Sequence, residues 1–244
     1  MRTLSYRFSF MLLVLFSASL FFSCASTKDE KNPYGLDVVN TAKLYEKEIA
    51  KDSDNLLVDL EKYIPKIALD IRYAKTDNFT LTKIYTAPKA YVRKPVAEAL
   101  LEIQNKLNNE GLGLKIFDAY RPYAATLYFY KVHPDTNFVA APWKGSVHNR
   151  GCAVDLTLID IVTGEELQMP TAFDEFTEKA AITYMDLEPN ILANREKLIS
   201  AMKSAGFDTY EYEWWHFNFK NREKYKIMDI SFEDLEKFDF NSIK

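Results

Sequence analysis

Two short segments govern what this chain can fold into. Ser146-Val147-His148-Asn149-Arg150-Gly151-Cys152-Ala153-Val154-Asp155 and Glu213-Trp214-Trp215-His216 hold two of the three histidines in 244 residues. A catalytic zinc site needs three protein ligands, a fourth position open to water and a base close by. His148, Asp155 and His216 offer the ligands and Glu213 offers the base, provided the fold brings the two segments together. Seven residues of straight strand would hold His148 and Asp155 more than about 20 Å apart. The chain must therefore turn sharply between them, and Gly151 is the residue that allows it; a glycine there also suits any loop-to-strand corner. The aromatic run Trp214, Trp215, Phe217, Phe219 favours a strand, on which Glu213 and His216 would face opposite sides. Both reach one point only if an irregularity interrupts the strand near Glu213 to Trp215. Taken singly, a histidine beside aromatics reads as a hydrogen-bonded structural residue, and a glutamate beside tryptophan as a surface acid.

The N-terminus carries a different kind of signal. Arg2 and Arg7 precede an apolar run from Phe8 to Phe22 that ends in Leu20-Phe21-Phe22-Ser23-Cys24. A basic start and a short apolar core form the pattern of a secretory signal, and the run is shorter than the roughly 20 residues that span a bilayer. A small residue followed by cysteine resembles a bacterial lipoprotein cleavage site. Residues 1–23 are expected to be removed and Cys24 to become the acylated first residue, tethering the protein to a membrane; ordinary secretion with Cys24 incidental is the alternative. Ser26-Thr27-Lys28-Asp29-Glu30 is similar to an export tag of some surface lipoproteins, and equally to a charged linker. Cleavage takes two arginines and no acids from a net charge of −4, leaving −6. That balance is wrong for nucleic acid, whose phosphates need clustered Lys and Arg. With Cys24 acylated, Cys152 is a lone thiol and no disulfide framework exists, so the fold rests on its core.

Residues 24–51 read as a polar linker that ends in a short helix around Val38–Ala50, and residues 52–244 as one catalytic domain. Ile67 to Tyr73 alternates well enough for a strand or extended segment. Lys94 to Asn109, opened by Pro95 and closed by Gly111, has helical apolar spacing at Val96, Leu100, Ile103 and Leu107. Leu114–Asp118 is a strand, Tyr123 to Val132 a helix, and a long loop with Pro134, Pro142 and Gly145 follows. Ala153 to Ile159 is a strand turning at Thr163-Gly164. Asn190 to Ala205 is an amphipathic helix stopped by Gly206, and Glu213 to Phe219 a strand. The expected class is α+β: a mainly antiparallel central sheet flanked by helices.

The arrangement Ser-x-His-x-x-Gly-x-Ala-x-Asp followed by Glu-x-Trp-His resembles the D-alanyl-D-alanine dipeptidases of VanX type. These are grouped with zinc D,D-carboxypeptidases and hedgehog-like metallopeptidases. Arg72-Tyr73-Ala74, Asp77-Asn78-Phe79-Thr80, Asp118-Ala119-Tyr120-Arg121-Pro122 and Phe173-Asp174 extend the resemblance, which runs from about residue 64 to the C-terminus. It implies one Zn²⁺ per chain held by His148, Asp155 and His216, with Glu213 as the base and Arg121 stabilising the oxyanion; a structural salt bridge at the strand exit is the alternative for Arg121. It further implies Asp174 as the partner of a substrate ammonium, with Ser146 and Tyr73 as substrate contacts. Cys152, where a small residue is expected, reads as packing, and His133 as a helix-end or surface histidine.

The expected activity is hydrolysis of a small dipeptide, D-alanyl-D-alanine, outside the cytoplasm in cell-wall turnover or recovery, with membrane contact only through the N-terminal lipid. A D,D-carboxypeptidase or peptidoglycan endopeptidase on the same scaffold would need an open groove. A peptidoglycan-binding lipoprotein that has lost activity would not need Glu213 and Arg121 beside a full ligand set.

Overall fold

Alternation of apolar and polar residues writes the two strands on which everything else is hung. In a computed structural model of the protein, residues 32–238 are described; residues 1–23 and Cys24, with the signal and lipidation expected of them, lie outside the described residues. Strand Val38–Val39 (β1) precedes helix Ala42–Lys51 (α1), strand Leu57–Asp59 (β2), the single turn Leu60–Tyr63 (α2) and strand Ala68–Leu69 (β3). Strand Tyr91–Arg93 (β4) leads into helix Lys94–Asn108 (α3), strand Leu112–Asp118 (β5) and helix Tyr123–Val132 (α4). Strand Ala153–Asp160 (β6), helix Pro189–Ser204 (α5), strands Phe207–Tyr210 (β7) and Glu213–Phe219 (β8), strand Ile227–Met228 (β9) and the turn Phe232–Leu235 (α6) complete it.

The central sheet has the order β3-β5-β6-β8-β7, with β3 parallel to β5 and every other pair antiparallel. This is the expected α+β class. Pairing of Leu114 with Leu158 and Ile116 with Leu156 puts four apolar side chains on one face. Asp155 and Thr157 lie on the other. Helix α3 buries Val96, Leu100, Ile103 and Leu107 along one stripe, and α5 buries Leu198, Ile199 and Met202. Lys197 on α5 pairs with Glu110, two residues beyond α3. Helix and sheet are also joined by a polar contact, since the Gln104 amide oxygen accepts a hydrogen bond from the Leu114 N–H at 2.9 Å inside the core.

Two expectations are corrected. Residues 24–51 are not a free linker where they are described: β1 pairs in parallel with β9, and α1 buries Tyr45 and Ile49. The Tyr45 hydroxyl accepts a hydrogen bond from the Leu57 N–H at 2.6 Å. The packed domain therefore starts before residue 52, because Val39, Tyr45 and Ile49 gain more from burial than the polar residues between them lose. The strand or extended segment expected over Ile67–Tyr73 is a strand only at β3 and stays extended to Ile71. Beyond it the Asp70 carboxylate binds Arg72 Nε at 2.7 Å and Lys75 Nζ at 2.5 Å, and the chain closes into a tight turn at Arg72–Ala74. That turn delivers Tyr73 to the interior.

Candidate metal centre

The loop after α4 ends in a turn of 3-10 helix at His148–Arg150, and Gly151 follows with φ +70°, in the left-handed region. A side chain there would be strained, and its Cβ would stand 2.5 Å from Leu57 Cδ2. The reversal folds His148 back over the start of β6, where Asp155 emerges. On the neighbouring strand, Thr209 pairs with Phe217 while Tyr210 pairs with Glu213, so β8 carries extra residues between these pairs. The expected irregularity is this bulge. It rotates Glu213 onto the side of the sheet occupied by His216, leaving Glu213 Oε2 3.8 Å from His216 Nδ1.

Three ligand atoms converge. His148 Nε2 lies 3.2 Å from His216 Nδ1 and 3.4 Å from Asp155 Oδ2, and His216 Nδ1 lies 2.9 Å from Asp155 Oδ1. Candidate ligand atoms of all three residues lie within 4.8 Å of one another. The outer nitrogens determine the tautomers. His148 Nδ1 donates to the Ala119 carbonyl at 2.7 Å, and His216 Nε2 donates to Asn218 Oδ1 at 3.0 Å. Each inner nitrogen then presents a lone pair toward the other and toward the Asp155 carboxylate. Such a cluster is repulsive unless a cation sits among the three groups, and a nitrogen, nitrogen, oxygen donor set fits a divalent transition ion. Burial pulls the Asp155 pKa upward, but with no ion among the three groups a proton on the adjoining His148 and His216 takes that place, and its charge holds the Asp155 carboxyl below the usual carboxylate range.

Arg121 enters from the turn after β5. Its Nε and Nη2 both donate to Asp118 Oδ2, at 2.9 and 2.7 Å, and its Nη2 stands 3.7 Å from Asp155 Oδ2. The Arg121 N–H donates to the His148 carbonyl, which ties this turn to the ligand loop. The guanidinium lies over the rings of Phe129 and Tyr73, at 4.8 and 5.4 Å. Arg121 thus has the salt bridge of the plainer reading and an approach to the ligands as well. Asp118 is wholly buried and takes a further hydrogen bond from the Tyr85 hydroxyl at 2.8 Å.

Across the cavity Asp174 sits at φ +60°, and the Tyr73 hydroxyl donates to its two carboxylate oxygens at 3.2 and 3.0 Å. Burial, and next the charge of Asp155, push the Asp174 carboxyl well above its ordinary range. Glu213, also buried, is pushed well above its own range by desolvation first and then by Asp155 and Asp174. Ser146 is buried too, and its Oγ accepts from the His148 N–H at 3.2 Å.

The eight described residues singled out from sequence line one cavity of about 200 Å³: Tyr73, Arg121, Ser146, His148, Asp155, Asp174, Glu213 and His216. Phe79, Phe129, Phe138 and Phe176 form its apolar wall. The sequence reading missed Asn218, Tyr85 and the Ala119 carbonyl, which orient the ligands and Arg121. Asn218 stands two residues after His216, so strand periodicity alone puts it on the same face; no local signal marks Tyr85. Cys152 is buried outside this group, and burial pushes its thiol up to about 12, which suits packing and not nucleophilic attack. His133 caps the C-terminal end of α4 and packs on Phe176.

Comparison with known proteins agrees with this geometry. The Peptidase M15 family model, described as D-ala-D-ala dipeptidase, matches residues 53–235. A D-alanyl-D-alanine dipeptidase of Escherichia coli strain K12 is 34% identical over 176 residues, covering 72% of this chain and 91% of that protein. Similar proteins of the same description from Enterococcus faecalis and Enterococcus faecium are each 31% identical, covering 74% and 65% of this chain and 96% and 88% of their own lengths. Because the matched span contains every residue of the cavity, and the relatives align over most of their length, the chain belongs to the M15 peptidase family of D-ala-D-ala dipeptidases.

Proposed function

We propose that this protein is a zinc dipeptidase that hydrolyses D-alanyl-D-alanine to two molecules of D-alanine outside the cytoplasm. The observation that carries the reading is the convergence of His148 Nε2, Asp155 and His216 Nδ1 beside Glu213 in one small cavity. His148, Asp155 and His216 would hold the ion. When bound, zinc lowers the pKa of water to about 7 and polarises a carbonyl.

The remaining work falls to the side chains. Glu213 accepts a proton from the attacking water on its carboxylate and passes it to the leaving amine. Its desolvated setting, with Asp155 and Asp174 nearby, raises its proton affinity toward what both transfers require. Arg121, permanently charged and held by Asp118, donates to the oxygen that becomes negative as the carbonyl carbon turns tetrahedral. Asp174 binds the substrate ammonium, which compensates the cost of its buried charge, and Tyr73 fixes its carboxylate. Ser146 orients the ligand loop through His148 and faces the substrate.

Asp174 selects for a free amino terminus, because an acylated nitrogen carries no charge to offset the carboxylate. Rates on D-Ala-D-Ala and on its N-acetyl derivative test this directly: the free dipeptide should be cleaved far faster. Equal rates would turn the assignment to a D,D-carboxypeptidase. Glu213→Ala should keep the metal, measured by atomic absorption, while kcat falls about 10²–10⁴-fold; retained turnover would remove Glu213 as the base.

Arg2, Arg7, the apolar run to Phe22 and Cys24 support export and lipid anchoring. Residues 1–23 would be the signal, Cys24 the lipidated first residue, and the substrate a dipeptide released in cell-wall peptide turnover or recovery. Mass analysis of the mature N-terminus tests it, and an unmodified Cys24 would refute the anchor.

A further inference from the structure

One face of the molecule, apart from the cavity, is aromatic without being buried. Tyr34 and Trp143 are 46% and 45% exposed, and their rings meet edge to face at 6.2 Å. Tyr130 closes on the other side of Trp143 at 5.4 Å. These side chains are held out by structure. Trp143 follows Pro142, whose carbonyl accepts from the buried Tyr123 hydroxyl at 2.8 Å, and the Lys144 and Gly145 N–H groups both donate to the Ala141 carbonyl. Tyr34 rides on a turn in which the Asn32 side chain binds the Leu36 backbone in both directions and the Gly35 N–H donates to the Asn32 carbonyl.

Lys131 and Lys144 follow Tyr130 and Trp143 in the chain, are exposed and make no ion pair among the described residues. Of the neighbouring acids, Asp37 pairs with Lys226, whereas Asp229 and Asp135 accept from the Ala124 and Asn137 N–H groups and keep their charge. The chain also enters the domain at this patch. Tyr34 is ten residues after Cys24, so a lipid on Cys24 holds the patch within roughly 35 Å of a bilayer.

We infer that Tyr34, Tyr130 and Trp143, with the unpaired Lys131 and Lys144, dock the domain on the surface of an anionic lipid bilayer. Tyrosine and tryptophan belong at the headgroup level, where an apolar ring and a polar edge are both satisfied, and lysines beside them are drawn to anionic lipid. A tether makes docking effectively intramolecular, so a patch too small to bind lipid from solution can still engage it. The inference rests on the proposed anchoring and is independent of the hydrolytic reaction.

Tryptophan emission reads it out. Trp214 and Trp215 are buried, leaving Trp143 as the exposed tryptophan. Full-length, lipidated protein is floated with vesicles of phosphatidylcholine and phosphatidylglycerol, with and without brominated acyl chains. Docking predicts roughly twofold loss of the Trp143 component in brominated vesicles, absent in Trp143→Phe. Replacing both lysines by alanine should lower the docked-to-undocked ratio roughly 25-fold on anionic vesicles and leave it unchanged on neutral ones. D-Ala-D-Ala hydrolysis should be unchanged in these variants. Protein that floats while Trp143 stays as open to acrylamide as in its absence from vesicles overturns docking but keeps the anchor, whether the patch is then free or covered by a second copy. Protein that does not float overturns both.

Discussion

At the residue scale, the cavity holds more negative charge than a fold would keep for its own sake. Asp155, Asp174 and Glu213 face it, Asp118 lies behind, and Arg121 is the one fixed cation among them. Such a surplus stores free energy that binding of cations releases. Asp174 shows this most directly, since its carboxyl is pushed upward by burial and Asp155, and its backbone sits at φ +60°. An acid whose folded pKa is raised opposes folding as pH rises through that value, so neutralising it removes the penalty. Asp174→Asn, a residue at ease in the left-handed region, should raise thermal stability by about 0.5–2 kcal/mol. The same change should raise KM for D-Ala-D-Ala sharply. A melting temperature that falls would show that the carboxylate supports the fold instead of the substrate.

At the element scale, two departures from regularity create the centre: the left-handed turn at Gly151 and the bulge in β8. Gly151→Ala places a Cβ at φ +70° and against Leu57. It should cost about 2–3 kcal/mol in denaturant unfolding and loosen metal binding, because His148 and Asp155 depend on that reversal. Normal stability and metal content would show that the loop has another way to turn. Both irregularities were required by the sequence once His148, Asp155, Glu213 and His216 were assigned a common point, for a straight strand cannot satisfy them. The helices α3, α4 and α5 and strands β5, β6 and β8 were legible for a simpler reason, since their apolar periodicity is long enough to choose a state. The regular strand over Ile67–Tyr73 is cut short at β3, because the Asp70–Lys75 pair spans five residues and needs the chain to bend, whereas alternation registers only the near neighbours.

At the scale of the whole molecule, the ligands come from β6, from β8 and from the loop before β6, so a bound ion fastens separate parts of the chain. Removing metal with a chelator should abolish hydrolysis and lower the melting temperature, and added zinc should restore both. An ion at 100 to 1,000 times its dissociation constant stabilises by about 2.7–4.1 kcal/mol. An unchanged melting curve would mean that the cluster holds no ion. By itself the sequence determined the donor types, the periodic elements, the acidic balance and the charged, apolar and cysteine order of the N-terminus, all of which depend on residue identity and near neighbours. The tertiary structure alone decided that Tyr85 steadies Asp118, that Tyr73 reaches Asp174, that α1 belongs to the domain, and that Tyr34 and Trp143 meet on the surface. Those contacts join residues far apart along the chain, and no local preference of either partner encodes the other; they exist because packing the sheet and helices leaves each pair no other place to be.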